Sequence, residues 1–404
     1  MVRFTRTLTG ALCTTLLLTG CIFGPGAIKR SRAQYNQAIQ RTQDEQLLLN
    51  LVRLRYRDTP LFLEVTSVST QYTFDGGAST SGTAVEGGPD SVGFGLSAGY
   101  SEKPTVTLSP LQGKDFVERV LTPVSIETVL TLTRAGWSVE RVLRLCANHL
   151  NGLDNASNTT GPTPTDAPRH AQFAEAANLL RTLQLAGALE VGQVGGRATL
   201  SEPLAAERVS AADLIAAAEK GYRFEAANGS GLLKLTGDAP RLVMEFHPAP
   251  AQEEATARLR ELLNLDASES HVGVSVGATG PRSSEPGDQL IVGTRSLMGT
   301  LYFLSNAVEV PDDHGERGLV TTTLDEAGQP FDWTRVTGDL LRVHSQTWPP
   351  VGAAVAVQHR GHWFYIDDTD LNSKSTFALL SQLFALQAGG AESTTPVLTL
   401  PIGG

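Results

Sequence analysis

Val68-Ser69-Thr70-Gln71-Tyr72-Thr73-Phe74 and Ser91-Val92-Gly93-Phe94-Gly95-Leu96-Ser97-Ala98-Gly99-Tyr100 both repeat with a period of two. In the first stretch Val, Thr, Tyr and Phe take the even positions and polar residues the odd ones. In the second, Val92, Phe94, Leu96, Ala98 and Tyr100 alternate with glycine and serine. Such a period belongs to a strand with one apolar face. The spacing therefore predicts two strands, Val65 to Phe74 and Ser91 to Tyr100, joined by the polar, glycine-rich segment Asp75 to Asp90. Each reaches the roughly 9 to 11 residues that a membrane β-strand needs. One hairpin cannot close a barrel, and open edges in lipid leave backbone groups unpaired at several kcal/mol each. Entry into a bilayer thus requires several copies, with about eight strands as the practical minimum. In water, the same hairpin is an arm or sheet edge that contacts a partner or another copy, since glycine-rich strands allow close backbone approach.

Upstream, no glycine or proline interrupts Ala27 to Arg57. Leu47, Leu48, Leu51, Val52 and Leu54 recur at helical steps opposite Asp44, Glu45, Arg53 and Arg57, which predicts one long helix ended by Pro60. Downstream, helices are expected over Asp115 to Leu121, Ser125 to Ala135, Ser138 to Leu150 and Ala171 to Ala186, with a linker from Asn151 to Pro168. Leu189 to Val194 and Arg197 to Leu200 flank Gly195-Gly196, a two-residue hairpin signal. Helices followed by such a hairpin resemble a winged-helix layout. The remainder reads as strands at Arg241 to Phe246, His271 to Val276, Leu290 to Val292, Leu340 to His344, Ala353 to Gln358 and His362 to Ile366. Helices lie near Ala251 to Leu265, Ser296 to Val308 and Ser373 to Leu386, with loops over Gly277 to Gln289 and Pro311 to Gln329. The expected fold class is α+β: a long N-terminal helix, a glycine-rich β-hairpin, a helical winged-helix-like middle and a C-terminal α+β body. The corresponding regions are 1–20, 21–60, 61–112, 113–240 and 241–404.

At the start of the chain, Arg3 and Arg6 precede the apolar run Leu8 to Leu18, and Leu18-Thr19-Gly20-Cys21 follows. Charge, greasy core and small residues in this order form an export signal. The apolar run is well short of the roughly 20 residues that span hydrocarbon as a helix. The end of the segment resembles the lipobox of bacterial lipoproteins, which implies cleavage before Cys21, acylation of its thiol and a membrane contact through N-terminal lipid. Ile22, and the absence of aspartate before Asp44, resemble outer-membrane sorting, with the body facing the periplasm. Lys29, Arg30 and Arg32 form a basic cluster that can sit against headgroups. Without residues 1–20 the chain carries 30 basic against 42 acidic residues, a net charge of about −12. Such a body does not gather nucleic acid by bulk charge. Cys13 leaves with the signal and Cys21 carries lipid, so Cys146 stands alone and no internal disulfide forms. Its helical apolar surroundings mark it as a buried structural residue.

Three segments are recognisable together: Gln46-Leu47-Leu48-Leu49-Asn50-Leu51-Val52-Arg53-Leu54-Arg55-Tyr56 with Asp58-Thr59-Pro60; Tyr100-Ser101-Glu102-Lys103-Pro104-Thr105; and Trp363-Phe364-Tyr365-Ile366-Asp367-Asp368 with Ser373-Lys374-Ser375-Thr376-Phe377. They resemble a group of proteobacterial envelope lipoproteins with no assigned chemistry. The resemblance implies an envelope location and a shared fold, and carries over no catalytic residue.

Local chemistry is sparse. Gly95-Leu96-Ser97-Ala98-Gly99 and Gly273-Val274-Ser275-Val276-Gly277 match the nucleophile-elbow pattern, but neither serine is set between a strand and an immediate helix. Asp368-Thr369-Asp370-Leu371-Asn372 opens like a calcium loop, yet Ser373 and Leu379 replace its glycine and glutamate, so helix capping is the better reading. His359-Arg360-Gly361-His362 sets two histidines beside a tight turn, and no third ligand follows from spacing. These read as turn-flanking surface histidines. No catalytic residue, metal ligand or cofactor is assigned. The expected role is a non-enzymatic lipid-anchored scaffold or assembly factor with protein partners in the envelope. The alternative is a homo-oligomeric outer-membrane channel or channel collar built from the 65–108 hairpin through Val68, Tyr72, Phe74, Val92, Phe94, Leu96 and Tyr100. An envelope hydrolase is the weaker alternative.

Overall fold

The computed structural model describes residues 35–83, 91–111, 113–156, 163–227, 231–238, 241–277, 286–388 and 398–401. The expected signal segment, Cys21 and the basic cluster Lys29, Arg30 and Arg32 lie outside the described residues. The chain is a mixed α+β protein with several sheets.

Helix α1 (35–55) buries Leu47, Leu48, Leu51, Val52 and Leu54, the stripe expected from their spacing. It stops before Pro60 is reached. Arg57 takes a left-handed φ of 59°, and the Asp58 amide donates back to the Arg53 carbonyl at 2.8 Å, closing a Schellman-type end.

Strands β1 (Leu63–Thr83) and β2 (Ser91–Pro110) pair antiparallel from Leu63↔Pro110 to Thr83↔Ser91, with one bulge between Val65 and Ser67. They are about twice as long as their local pattern suggested. Asp75 to Thr83, read as a loop, is strand. Glycine and serine there have low strand propensity alone, but each rung is held by a partner on β2, and pairing outweighs intrinsic preference.

Three short helices follow: α2 (Lys114–Leu121), α3 (Ile126–Arg134) and α4 (Val139–Cys146). Ser125 and Ser138 cap the latter two by accepting from the Thr128 and Arg141 amides. Helix α4 ends four residues earlier than expected, because Ala147–Leu150 forms β3 against a distant strand, followed by β4 (Leu153–Asp154). Then come α5 (Ala171–Leu185), β5 (Leu189–Val194), β6 (Arg197–Thr199), β7 (Leu204–Ala205), α6 (Ala211–Glu219), β8 (Tyr222–Ala227) and β9 (Leu232–Asp238). The last part holds β10 (Arg241–Phe246), α7 (Glu253–Leu263), β11 (His271–Val276), β12 (Gln289–Thr294), α8 (Leu297–Ser305), α9 (Asp312–Glu316) and α10 (Thr334–Thr337). It closes with β13 (His344–Gln346), β14 (Ala353–His359), β15 (His362–Asp367), α11 (Leu371–Ala388) and β16 (Leu398–Pro401).

The largest sheet has the order β4-β3-β12-β11-β10-β5, so it joins strands from both sides of residue 240. The expected hairpin through Gly195-Gly196 does not form. β5 pairs over six rungs with β10 and β6 over three with β9, whereas a hairpin with the three-residue β6 would give β5 three rungs at most. The wing is therefore absent, and the middle region, expected to be mostly helical, carries β8 and β9 as well. Leu340 lies in a turn, with strand starting only at His344, and the 311–329 segment read as a loop contains α9. Buried apolar side chains from Leu47 to Leu383 form one cluster, a continuous core that links α1, the largest sheet and α11.

Candidate functional site

The hairpin segregates its residues strictly by face. Phe74↔Tyr100, Ala78↔Leu96, Thr80↔Phe94 and Gly82↔Val92 are rungs of one side, continued toward the body by Tyr72↔Glu102 and Val68↔Val106. All seven residues expected to mark the hairpin, Val68, Tyr72, Phe74, Val92, Phe94, Leu96 and Tyr100, share that face by register. The other face carries Gln71↔Lys103, Thr73↔Ser101, Asp75↔Gly99, Gly77↔Ser97, Ser79↔Gly95 and Ser81↔Gly93. Two of its glycines sit close against the serine opposite. A Cβ on Gly77 would stand 2.7 Å from Ser97 Oγ, and one on Gly95 2.6 Å from Ser79 Oγ. Ser97 donates instead to the Gly77 carbonyl at 3.3 Å, so this candidate nucleophile lies in mid-strand. Ser275 likewise lies inside β11.

Beyond its base the hairpin has two open edges. β16 covers β2 only at Thr105–Leu108, and among the described residues no strand pairs with the outer edge of β1 or with β2 over 91–104.

A latch sets the hairpin on the body. Gln46 and Asn50, one turn apart on α1, each bind both backbone groups of a residue in the connection. Asn50 Nδ2 donates to the Leu61 carbonyl (2.8 Å) and its Oδ1 accepts from the Leu61 amide (2.9 Å); Gln46 does the same for Leu63 at 3.2 and 3.1 Å. Two amide side chains thus imitate the neighbouring strand that β1 lacks at its start.

Between that latch and α1's end lies a polar cluster. Tyr56, 5% exposed, bonds through its hydroxyl to His314 Nδ1 at 2.7 Å. Its ring packs edge-on against His314, His359 and Phe364, with the Arg360 guanidinium over its face. Asp58 takes His359 Nε2 at 3.2 Å and Arg360 at 3.0 Å, tying the β14–β15 turn to the helix end. Burial pushes the Tyr56 hydroxyl up to about 12 and lowers both His314 and His359, so the imidazoles are neutral at ordinary pH.

His359 and His362 do pair across the turn, but their side chains diverge. His359 meets Asp58, whereas His362 meets Asp313 and His314. Nor are they surface residues, at 17% and 20% exposure. Asp313, His314 and His362 are the described residues whose atoms could jointly hold a metal ion. Spacing could not reveal this set, because His314 sits in a segment read as a loop and reaches Tyr56 across 258 positions. Of Asp370, Asn372 and Ser373, the three residues expected to cap α11, Asp370 does so through the Ser373 amide at 3.0 Å. Cys146 is fully buried.

Among the described residues no helix is long and apolar enough to cross a membrane. No family model, curated protein or solved structure matches this chain.

Proposed function

We propose that this chain is a lipid-anchored envelope protein whose β1–β2 hairpin supplies one subunit's share of an oligomeric outer-membrane β-barrel, a channel or the collar of one. The carrying observation is the pairing of Ser67↔Thr107 through Thr83↔Ser91 without a break, with every large apolar residue on one face, beside Thr70, Thr80 and Glu102, and only small or polar residues on the other. That is the pattern of a strand pair with lipid on one side and a water-filled lumen on the other. Two strands per copy make at least about four copies the minimum for closure. The open edges have the right sense, since β2 of one copy runs antiparallel to β1 of the next. β16 on Thr105–Leu108 would stop that inter-subunit ladder at the base. The 14 residues from Cys21 to residue 35 can span up to about 50 Å, enough for an acyl chain on Cys21 to reach the same bilayer.

A scaffold role is the second reading. It draws support from the same edges, because an unpaired strand is a template for strand addition by a protein partner in water.

Mass photometry and negative-stain imaging of the full-length protein extracted in detergent test the proposal. Multiples of the protomer and ring-shaped particles are expected, and both should vanish when β1 and β2 are deleted. A strictly monomeric extract overturns the barrel and leaves the scaffold. Cys21→Ser should abolish acylation and cleavage before residue 21; unchanged processing would remove the anchor.

A further inference from the structure

We propose that Asp313, His314 and His362 form a binding site for a divalent transition-metal ion of the zinc class. One ligand atom from each residue lies within 4.8 Å of the other two. His362 Nε2 is 3.7 Å from Asp313 Oδ1, and His314 Nε2 is 3.7 Å from Asp313 Oδ2, both beyond hydrogen-bond length. With zinc bonds near 2.0 to 2.1 Å, tetrahedral ligands stand about 3.3 Å apart. The two gaps run to different oxygens of Asp313, and with the set spread over up to 4.8 Å its ligand atoms need to close by up to about 1.5 Å. Asp313 is half-exposed and can swing to do so.

Two features beyond proximity bear on a ligand. His362 Nε2 makes no hydrogen bond and faces the Asp313 carboxylate at 3.7 Å, so it is open to an ion, while Nδ1, the other ring nitrogen, is buried without a protein partner. His314 is oriented in the way ligating histidines are. Its Nδ1 is fixed by the Tyr56 hydroxyl at 2.7 Å, and when Nδ1–H donates to that oxygen the Nε2 lone pair faces Asp313 and His362. The rings of His314 and His362 cross at 77° with centroids 4.8 Å apart, in edge-to-face contact.

Two imidazoles and one carboxylate suit zinc, cobalt or nickel; calcium and magnesium prefer all-oxygen sets. Arg317, 3.8 Å from Asp313, opposes cation binding from the outer side and competes for the carboxylate. The site has a definite mechanical place. It would join α9 to the start of β15 and, through Tyr56, to the end of α1 that precedes the hairpin, so an ion there would clamp the base on which the hairpin stands.

The test uses full-length protein without a histidine tag, dialysed against chelator. Added cobalt(II) should give a visible ligand-field spectrum at one ion per chain, and calorimetry should measure zinc(II) affinity. His362→Ala and Asp313→Asn should each weaken zinc binding at least about tenfold, and Tyr56→Phe about tenfold through loss of the orienting bond. His359→Ala, which leaves the three ligands intact, should stay within about twofold. Zinc should raise the melting temperature of the parent protein and not of His362→Ala, whose fold is checked by circular dichroism. Absence of both spectrum and heat, affinity unchanged in His362→Ala or Asp313→Asn, or an equal loss in His359→Ala would each overturn the assignment.

Discussion

Ala78→Arg, set beside Ser79→Arg, separates the two readings of the hairpin. The neighbours differ in face alone: Ala78 pairs with Leu96 in the apolar rows and Ser79 with Gly95 in the small polar ones. Phe74 to Gly82 covers about 27 Å of strand, or about 21 Å once tilted by about 40°. Adding the Tyr72↔Glu102 rung as the interfacial level brings this to about 26 Å, close to the roughly 25 Å apolar band of membrane barrels. Ala78 lies at the centre of that band, where an arginine facing lipid costs about 2 to 4 kcal/mol. At about 1.4 kcal/mol per decade the variant hairpin inserts about 30- to 700-fold less often, and the deficit compounds with every copy in a ring. Ser79→Arg places the same charge toward the lumen and should leave insertion nearly unchanged while favouring anions. Dye release from phosphatidylethanolamine–phosphatidylglycerol vesicles, followed by single-channel recording, measures both effects. Equal behaviour of the two variants, or a parent protein that releases no dye, would refute the face assignment and the channel with it.

Other perturbations probe the body. Asn50→Ala removes both bonds to Leu61 from a residue 1% exposed, and since Leu61 itself is partly open to water the loss should be about 2 kcal/mol, read as a lower urea midpoint. An unchanged midpoint would show that the latch holds nothing. Asp339 accepts two bonds from Arg144, at 2.6 and 2.7 Å, and that hydrogen bonding holds its carboxyl below the usual range. The folded protein then takes up this proton less readily than the unfolded chain, so the stabilisation is complete above about pH 4 and fades as the pH falls further. Asp339→Asn should flatten that acid loss; an identical acid profile would contradict it. Burial pushes the Cys146 thiol up to about 12, so in a Cys13→Ser, Cys21→Ser background an aromatic disulfide reagent should label the protein only after denaturant is added. Rapid labelling of the native form would show that the core opens there.

Periodicity made several elements legible before any coordinates. The α1 stripe from Leu47 to Leu54, the helix starting at Ala171 and the strands at Arg241 and His271 follow from apolar spacing over one local window. Helix starts expected at Ser125 and Ser138 fall on the capping serines, while α11 begins at Leu371, two residues ahead of the expected Ser373. What escaped was whatever depends on a distant partner. Ala147–Leu150 has a helical pattern and becomes strand because β12 lies alongside. Gly195-Gly196 signals a tight turn, yet its flanking strands leave for different sheets. Asp75–Thr83 looks like linker until its register with β2 is known.

Sequence alone determined the two-faced alternation of the hairpin and the buried stripe of α1, because each is a repeat along a few neighbouring residues and its period is set by backbone geometry. Tertiary structure alone decided the length of the hairpin, the Gln46 and Asn50 latch at its root, and the meeting of Tyr56, Asp313, His314 and His362. Those depend on which remote segments the single core draws together, and no local repeat encodes that choice.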